Sequence, residues 1–240
     1  MIRPIDIARR LNISTTTLRH YEEFKMIPPV MRSPNGYRIY TEEHIAYFIC
    51  IREMMQGFAL SEIAKMLKSV MEKKQDEALW TANKAQALLH NDKFVCEQIR
   101  LRFLQKKKAA LPKEFTIDTV SKLTGINPST IRYWDKIGLI SASRCAVNNY
   151  RTFTQTHIDE ILMIQALKMA MRARDEKYTV EQIRKEMQEI DFADTDNISS
   201  IITGIEKHLA ALNRAQIRSV YALFCLCIQD EKGCYDVLQP

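Results

Sequence analysis

The chain has 240 residues, 46% of them hydrophobic, and a formal charge of +6 from Lys and Arg spread along its length. That is apolar material for two compact cores and excludes a mainly disordered protein, while the positive balance suits a polyanionic partner. The longest uncharged apolar run, Val220 to Ile228, is far short of the ~20 residues a membrane-spanning helix needs, so no membrane partner is expected.

The N-terminus reads Met1-Ile-Arg-Pro-Ile-Asp, with charge and proline where a secretion signal needs a continuous apolar stretch, so a cytoplasmic location is expected. Ile5, Ala8 and Leu11 then have helical spacing, and Asn12 follows where the backbone must turn left-handed. Ser14 is a good N-cap for a second helix running to about Phe24. Two short helices joined so tightly make a helix-turn-helix. On the second helix Leu18, Tyr21 and Phe24 share one face, predicted to be buried. The opposite face carries Thr16, Arg19, His20 and Glu23, groups able to reach phosphates and base edges in a major groove.

Ser33-Pro-Asn-Gly-Tyr-Arg-Ile-Tyr40 follows. Its Asn35-Gly36 pair predicts a type I′ hairpin turn between two strands, which is a wing beside the helix-turn-helix. Arg38 on this wing is placed to touch the sugar-phosphate backbone. Thr41 then caps a third helix with Ile45, Phe48 and Ile49 on its apolar face, and His44 in its first turn suits a structural role. From about Val70 to Lys108 there is no glycine or proline, and Leu79, Ala82, Gln86, Leu89 and Cys96 follow a rough heptad.

The pattern then starts again. Arg19 recurs as Arg132, 113 positions on, and the same offset superposes Ile13 on Ile126, Thr17 on Thr130, Tyr37 on Tyr150, Arg38 on Arg151, Thr41 on Thr154 and His44 on His157. Conservative pairs fill the gaps: Tyr21 with Trp134, Glu22 with Asp135, Tyr40 with Phe153. A duplicated domain is the only economical source of such a match. In the second copy Gly125 takes the place of Asn12, Asn127 that of Ser14, and Ser129, Arg132, Tyr133 and Lys136 form the outward face of the second helix. Past His157 the copies diverge around Arg172 to Lys177. A second heptad stretch places Ile198, Ile201, Ile205, Leu209, Leu212, Val220 and Leu223 on one stripe.

These residues resemble the MerR family of bacterial transcription regulators. Its helix-turn-helix core appears here as Thr17-Leu-Arg-His-Tyr-Glu22 and Thr130-Ile-Arg-Tyr-Trp-Asp135. Its wing appears as Gly36-Tyr-Arg-Ile-Tyr40 and Asn149-Tyr-Arg-Thr-Phe153, and its following helix pair as Gly57-Phe-Ala-Leu-Ser-Glu-Ile63. Two departures stand out: Lys25 occupies the position of Gly138, and Asn149 replaces the wing glycine. The expected fold is mainly α: winged helix-turn-helix domains at 1–70 and 111–190, a long coiled-coil helix and linker at 71–110, a C-terminal coiled-coil helix at 196–230, and a tail at 231–240.

The resemblance implies binding to double-stranded DNA, with Thr16, Thr17, Arg19, His20, Tyr37 and Arg38 and their counterparts Ser129, Thr130, Arg132, Tyr133, Tyr150 and Arg151 as contact residues. It also implies RNA polymerase as a partner at the promoter, and DNA bent and untwisted between spaced promoter elements. Family members pair long helices between two subunits. Here one chain carries two modules and two long helices, so an intramolecular pseudo-dimer is expected, with a homodimer displaying four modules as the alternative.

The other function classes are weaker. No Gly-rich phosphate loop or nucleophile with a matched base points to an enzyme, and no cofactor is expected. An architectural DNA-binding protein using the same modules is the alternative to a regulator. Cys225, Cys227 and Cys234 have spacing that would serve a soft metal ion such as copper or zinc. Cys225 and Cys227 lie in an apolar helical run, where cysteine also serves as a small hydrophobe. Cys50, Cys96 and Cys145 show no ligand spacing, and in a cytoplasmic setting all six thiols are expected to stay reduced.

Overall fold

A computed structural model describes residues 2–104, 114–144, 150–173, 179–190 and 194–235. The chain divides into two compact units, one of Met1–Leu88 with Ala211–Pro240, the other of Leu89–Ala210. The lysines at 106–108, Cys145, the second wing's Asn148 and Asn149, and the inserted residues 174–177 lie outside the described residues.

In the first unit, α1 (Pro4–Arg10) begins at a proline, tolerated there because the first helical N–H has no partner to lose. Its buried residues are Ile7 and Ala8, while Ile5, expected on the apolar face, is exposed at the edge of a surface cleft. Asn12 takes φ +51 and turns the chain into α2 (Thr15–Glu23), where Ser14 Oγ accepts the Thr17 N–H at 3.0 Å. Leu18 and Tyr21 of α2 are buried, but Phe24 is 59% exposed. The helix ends one residue before it, and Lys25, at φ +54, reverses the chain so that burial passes to Met26 and Ile27.

The wing is the antiparallel pair β1 (Met31–Arg32) and β2 (Arg38–Ile39), in register Met31 to Ile39 and Arg32 to Arg38. Its turn is not type I′. Only Gly36 has positive φ (+79), and its N–H reaches the Ser33 carbonyl at 2.8 Å. Pro34 explains the difference: its locked φ sets the first central position of a type I turn, which Gly36 then closes in the left-handed region.

Helix α3 (Glu42–Met54) opens with Thr41 and His44 bonded to each other: the Thr41 N–H donates to His44 Nδ1 at 3.1 Å. It is buried almost all round, through Ile45, Tyr47, Phe48, Cys50, Ile51 and Met54, and α4 (Leu60–Met71) adds Ile63, Met66, Leu67 and Val70 to the same core. The beginning of α5 (Gln75–Phe103) and the end of α10 (Thr195–Lys232) close it with Ala78, Ala82, Leu223, Leu226 and Cys227. Ser219 Oγ of α10 donates to the Glu53 carbonyl at 3.0 Å. The buried Asp230 carboxylate accepts from Lys73 Nζ and Gln75 Nε2, each at 2.7 Å, and from the Tyr235 hydroxyl at 3.0 Å.

The second unit repeats the plan with α6 (Ile117–Thr124), α7 (Pro128–Lys136), the strand pair β3 (Ser143–Arg144) and β4 (Arg151–Thr152), α8 (Gln155–Ala173) and α9 (Val180–Glu189). Gly125 takes φ +71 where Asn12 stands in the first copy. Asn127 precedes α7 without a side-chain capping bond, and Pro128 opens the helix at its first position, where the missing N–H has no partner to lose. Even a single pairing outside the strands is repeated: Ile2 with Tyr40, and Phe115 with Phe153. Val95, Cys96 and Ile99 of α5 and Ile198, Ile202, Ile205 and Leu209 of α10 are buried in this unit, where Arg100 pairs with Glu206 at 3.1 Å and Arg102 with Asp159.

The α3 cap makes the first unit pH-sensitive. Burial holds the His44 imidazole below its ordinary value, with Glu43 offsetting part of the effect, and Nδ1 must stay unprotonated to accept the Thr41 N–H. The unfolded chain takes up that proton near pH 6.5, so the stabilisation is complete above 6.5 and is lost as pH falls through the depressed folded value. Urea midpoints at pH 7.5 and 5.5 should therefore show lower stability at the acid end, with a smaller difference in His44→Asn; equal differences in the two proteins would count against it.

Candidate nucleic-acid interface

The outward face of α2 carries Thr16, Arg19 and His20, all exposed, and the wing presents Tyr37 with 74% of its surface in solvent. Between them lies a cleft of about 690 Å³, lined among others by Arg3, Thr15, Arg19, Asn35, Tyr37 and Arg38. Arg3 and Thr15 did not emerge from the sequence. Arg3 holds Asp6 through a 2.9 Å ion pair, and its place beside Arg19 follows from the pairing of Ile2 with Tyr40, which ties the N-terminal segment to the wing. Thr17 is half-buried, and its hydroxyl lies 2.9 Å from Ser14 Oγ, so it helps to build the helix start.

The second copy has the same layout. Ser129, Arg132 and Tyr133 are exposed on α7, Thr130 is half-buried, and Tyr150 is exposed at the start of β4. Buried Tyr21 and Trp134 anchor these helices from behind. The Tyr21 hydroxyl reaches Met55 Sδ at 3.2 Å, and at the matching position Lys168 Nζ sits 5.1 Å over the Trp134 ring.

Arg38 and Arg151 are not simply solvent-facing cations. Arg38 Nε donates to the Glu22 carboxylate at 2.5 Å, and Arg151 Nε to Asp135 at 2.6 Å, with all four side chains largely shielded. Each pair ties a wing to the second helix of its helix-turn-helix, α2 or α7, and neutralises a carboxylate there. The signal was in the repeat: the acid of α2 and the arginine of the wing recur together at one offset, as a bonded pair would. Arg19 and Arg132 have no such partner among the described residues and stand as exposed guanidiniums on the helices. A rigid helix bearing one exposed arginine and short hydroxyls, beside an exposed wing tyrosine, can hydrogen-bond phosphate oxygens and base edges together.

The three C-terminal cysteines are not brought together. Cys227 is buried in the first unit's core, Cys225 is half-buried and Cys234 exposed. Burial pushes the Cys227 thiol up to about 12 and raises that of Cys50, the nearby residue that the sequence left without a role, so both remain thiols at neutral pH. Among the described residues no three His, Cys, Asp or Glu side chains are grouped to hold a metal ion. No described helix is long and apolar enough to cross a membrane.

Two helix-turn-helix units, each with a two-stranded wing, place the chain among winged helix-turn-helix proteins. The family model of the MerR HTH family regulatory protein matches it twice, over residues 3–70 and 115–190, and the chain belongs to the MerR family.

Among curated relatives, the HTH-type transcriptional regulator CueR of Yersinia pestis is 38% identical over 63 residues, 26% of this chain and 45% of that protein. HmrR of Sinorhizobium medicae is 33% identical over 99 residues, 41% of this chain and 62% of the relative. A heavy metal-dependent transcription regulator of Rhizobium meliloti is also 33% identical over 99 residues, again 41% and 62%. The matches thus span about half the length of these relatives. No solved structure matches significantly.

Proposed function

We propose that the protein is a sequence-specific DNA-binding transcription regulator that sets its two modules on the two half-sites of one promoter element. The observation that carries this reading is the duplicated, outward-facing set Thr16, Arg19, His20 and Tyr37 with Ser129, Arg132, Tyr133 and Tyr150. The relatives, transcriptional regulators by name, support the same class.

A single chain supplies both halves in this proposal. Each compact unit takes one DNA module together with part of α5 and part of α10, so the helix that leaves the first module completes the second unit, and the helix after the second module completes the first. That composition favours a pseudo-dimer. Because His20 and Tyr133 differ, the half-sites should be unequal, and distortion of the intervening DNA, with RNA polymerase as the beneficiary, fits the family to which the chain belongs.

Footprinting on genomic fragments, with the mass of the complex measured at nanomolar protein, tests both parts. Protection of two unequal half-sites beside a promoter by one chain is expected. Two chains per site would overturn the pseudo-dimer, and uniform protection without an operator would favour an architectural role.

A further inference from the structure

The first module holds a cation that its copy lacks. Arg3 lines the cleft between α2 and the wing together with Arg19 and Arg38, and apolar Ile2, Pro4 and Ile5 lie beside it. Arg38 is engaged by Glu22, so Arg3 and Arg19 are the guanidiniums of this cleft that can turn to a ligand. The Arg3 backbone is fixed from both sides: Ile2 before it pairs with Tyr40 after the wing, and Pro4 behind it opens α1 with a locked φ. Its side chain grips the Asp6 carboxylate as a fork, Nε to Oδ2 at 2.9 Å and Nη2 to Oδ1 at 3.2 Å. That pair stands in water, with 74% of the Arg3 side chain and 42% of the Asp6 side chain exposed, so it is weak and readily exchanged.

A guanidinium fork that holds two carboxylate oxygens holds two oxygens of a phosphodiester in the same planar geometry. The apolar neighbours suit the other half of a nucleic-acid backbone, the deoxyribose, whose carbon face carries no charge. We propose that Arg3 leaves Asp6 to clamp a backbone phosphate of the bound duplex, with the adjoining sugar against Pro4 and Ile5, and that only the first module makes this contact. At the 113-residue offset Thr116 stands for Arg3, Asp118 for Ile5 and Thr119 for Asp6, and all three are exposed. Thr116 Oγ1 accepts the Thr119 N–H at 3.3 Å and so caps α6, while Asp118 adds a carboxylate that repels phosphate. The cation and its acid are present as a pair in one copy and absent as a pair from the other. The inference rests on the DNA-binding reading and adds to it a residue that distinguishes the half-sites through the sugar-phosphate backbone rather than through base edges.

Fluorescence anisotropy of the full chain, on the duplex that footprinting recovers and over a salt series, tests the exchange. Arg3→Gln should weaken binding about five- to tenfold and lower the slope of log K against log salt by about one. Arg3→Lys, which keeps the charge but not the fork, should retain the slope and lose part of the affinity. Asp6→Asn should tighten binding about two- to fivefold, because nothing then holds the fork back, and most of that gain should vanish in the Arg3→Gln background. Methylphosphonate placed at successive backbone positions should reveal one phosphate, in one half-site only, whose neutralisation weakens the parent but not Arg3→Gln. Parent affinity and slope in Arg3→Gln, while Arg19→Ala still loses affinity, would overturn this inference and leave the DNA-binding reading standing. So would two such phosphates, one in each half-site. Failure of the parent to bind any duplex would instead remove the reading beneath it.

Discussion

Arg19→Ala and Arg132→Ala, made singly, are each expected to weaken binding to the cognate duplex by about 10- to 100-fold, corresponding to the loss of one phosphate or base contact of about 1–3 kcal/mol. Together they should abolish measurable specific binding, because each module then lacks its exposed guanidinium. The salt dependence separates the roles: if an arginine touches phosphate, its removal reduces the slope of log K against log salt by about one, and if it reads a base the slope stays while discrimination falls. Fluorescence anisotropy over a salt series makes the measurement. Unchanged affinity in the double variant would remove these helices from the interface. Arg38→Ala and Arg151→Ala should act differently. Each leaves a shielded carboxylate, Glu22 or Asp135, without its partner, so a loss of wing stability should accompany any loss of affinity.

The second large effect is expected at Gly57. A Cβ there would stand 2.6 Å from Ser219 Oγ and within 3 Å of the Gln216 backbone, because the turn before α4 presses directly on α10. The serine can rotate but the helix backbone cannot, so Gly57→Ala should destabilise the first unit by about 1–3 kcal/mol, in the range found for overpacked cores. Gly204 is the control of opposite sign. It lies within α10 with nothing within 4 Å of its Cβ position, and Gly204→Ala should stabilise the chain by up to about 1 kcal/mol. Equilibrium urea unfolding reads both. A neutral Gly57→Ala would mean that α10 does not sit on the first module as described.

Local chemistry made much of this molecule legible in its residues. A repeat offset constant over forty positions announces two copies of one module, and capping residues, left-handed turn positions and a proline-glycine hairpin mark where each helix and strand must end. The misread details share one cause, the extension of a local rule past the point where it holds. Phe24 was assigned to the α2 face although the chain has already turned at Lys25, and Asn35-Gly36 suggested a type I′ turn although Pro34 dictates type I. The Arg38–Glu22 tie was missed because a charge on a surface strand looks solvated until the helix it leans on is known.

The chain by itself determined the kind of domain, its duplication and the outward arginines of α2 and α7, since these depend on backbone propensities and on residues near in sequence. Tertiary structure alone decided which faces of the long helices are covered. α5 and α10 each carry apolar residues on more than one side, and only the packing of Leu223 and Leu226 into the first module leaves Tyr221 and Phe224 in solvent. It also decided that Gly57 admits no side chain and that Asp230 is a buried anchor rather than a surface charge, because both depend on a segment more than 150 residues away meeting the first module. Burial belongs to a pair of surfaces, and a periodic pattern describes only one of them.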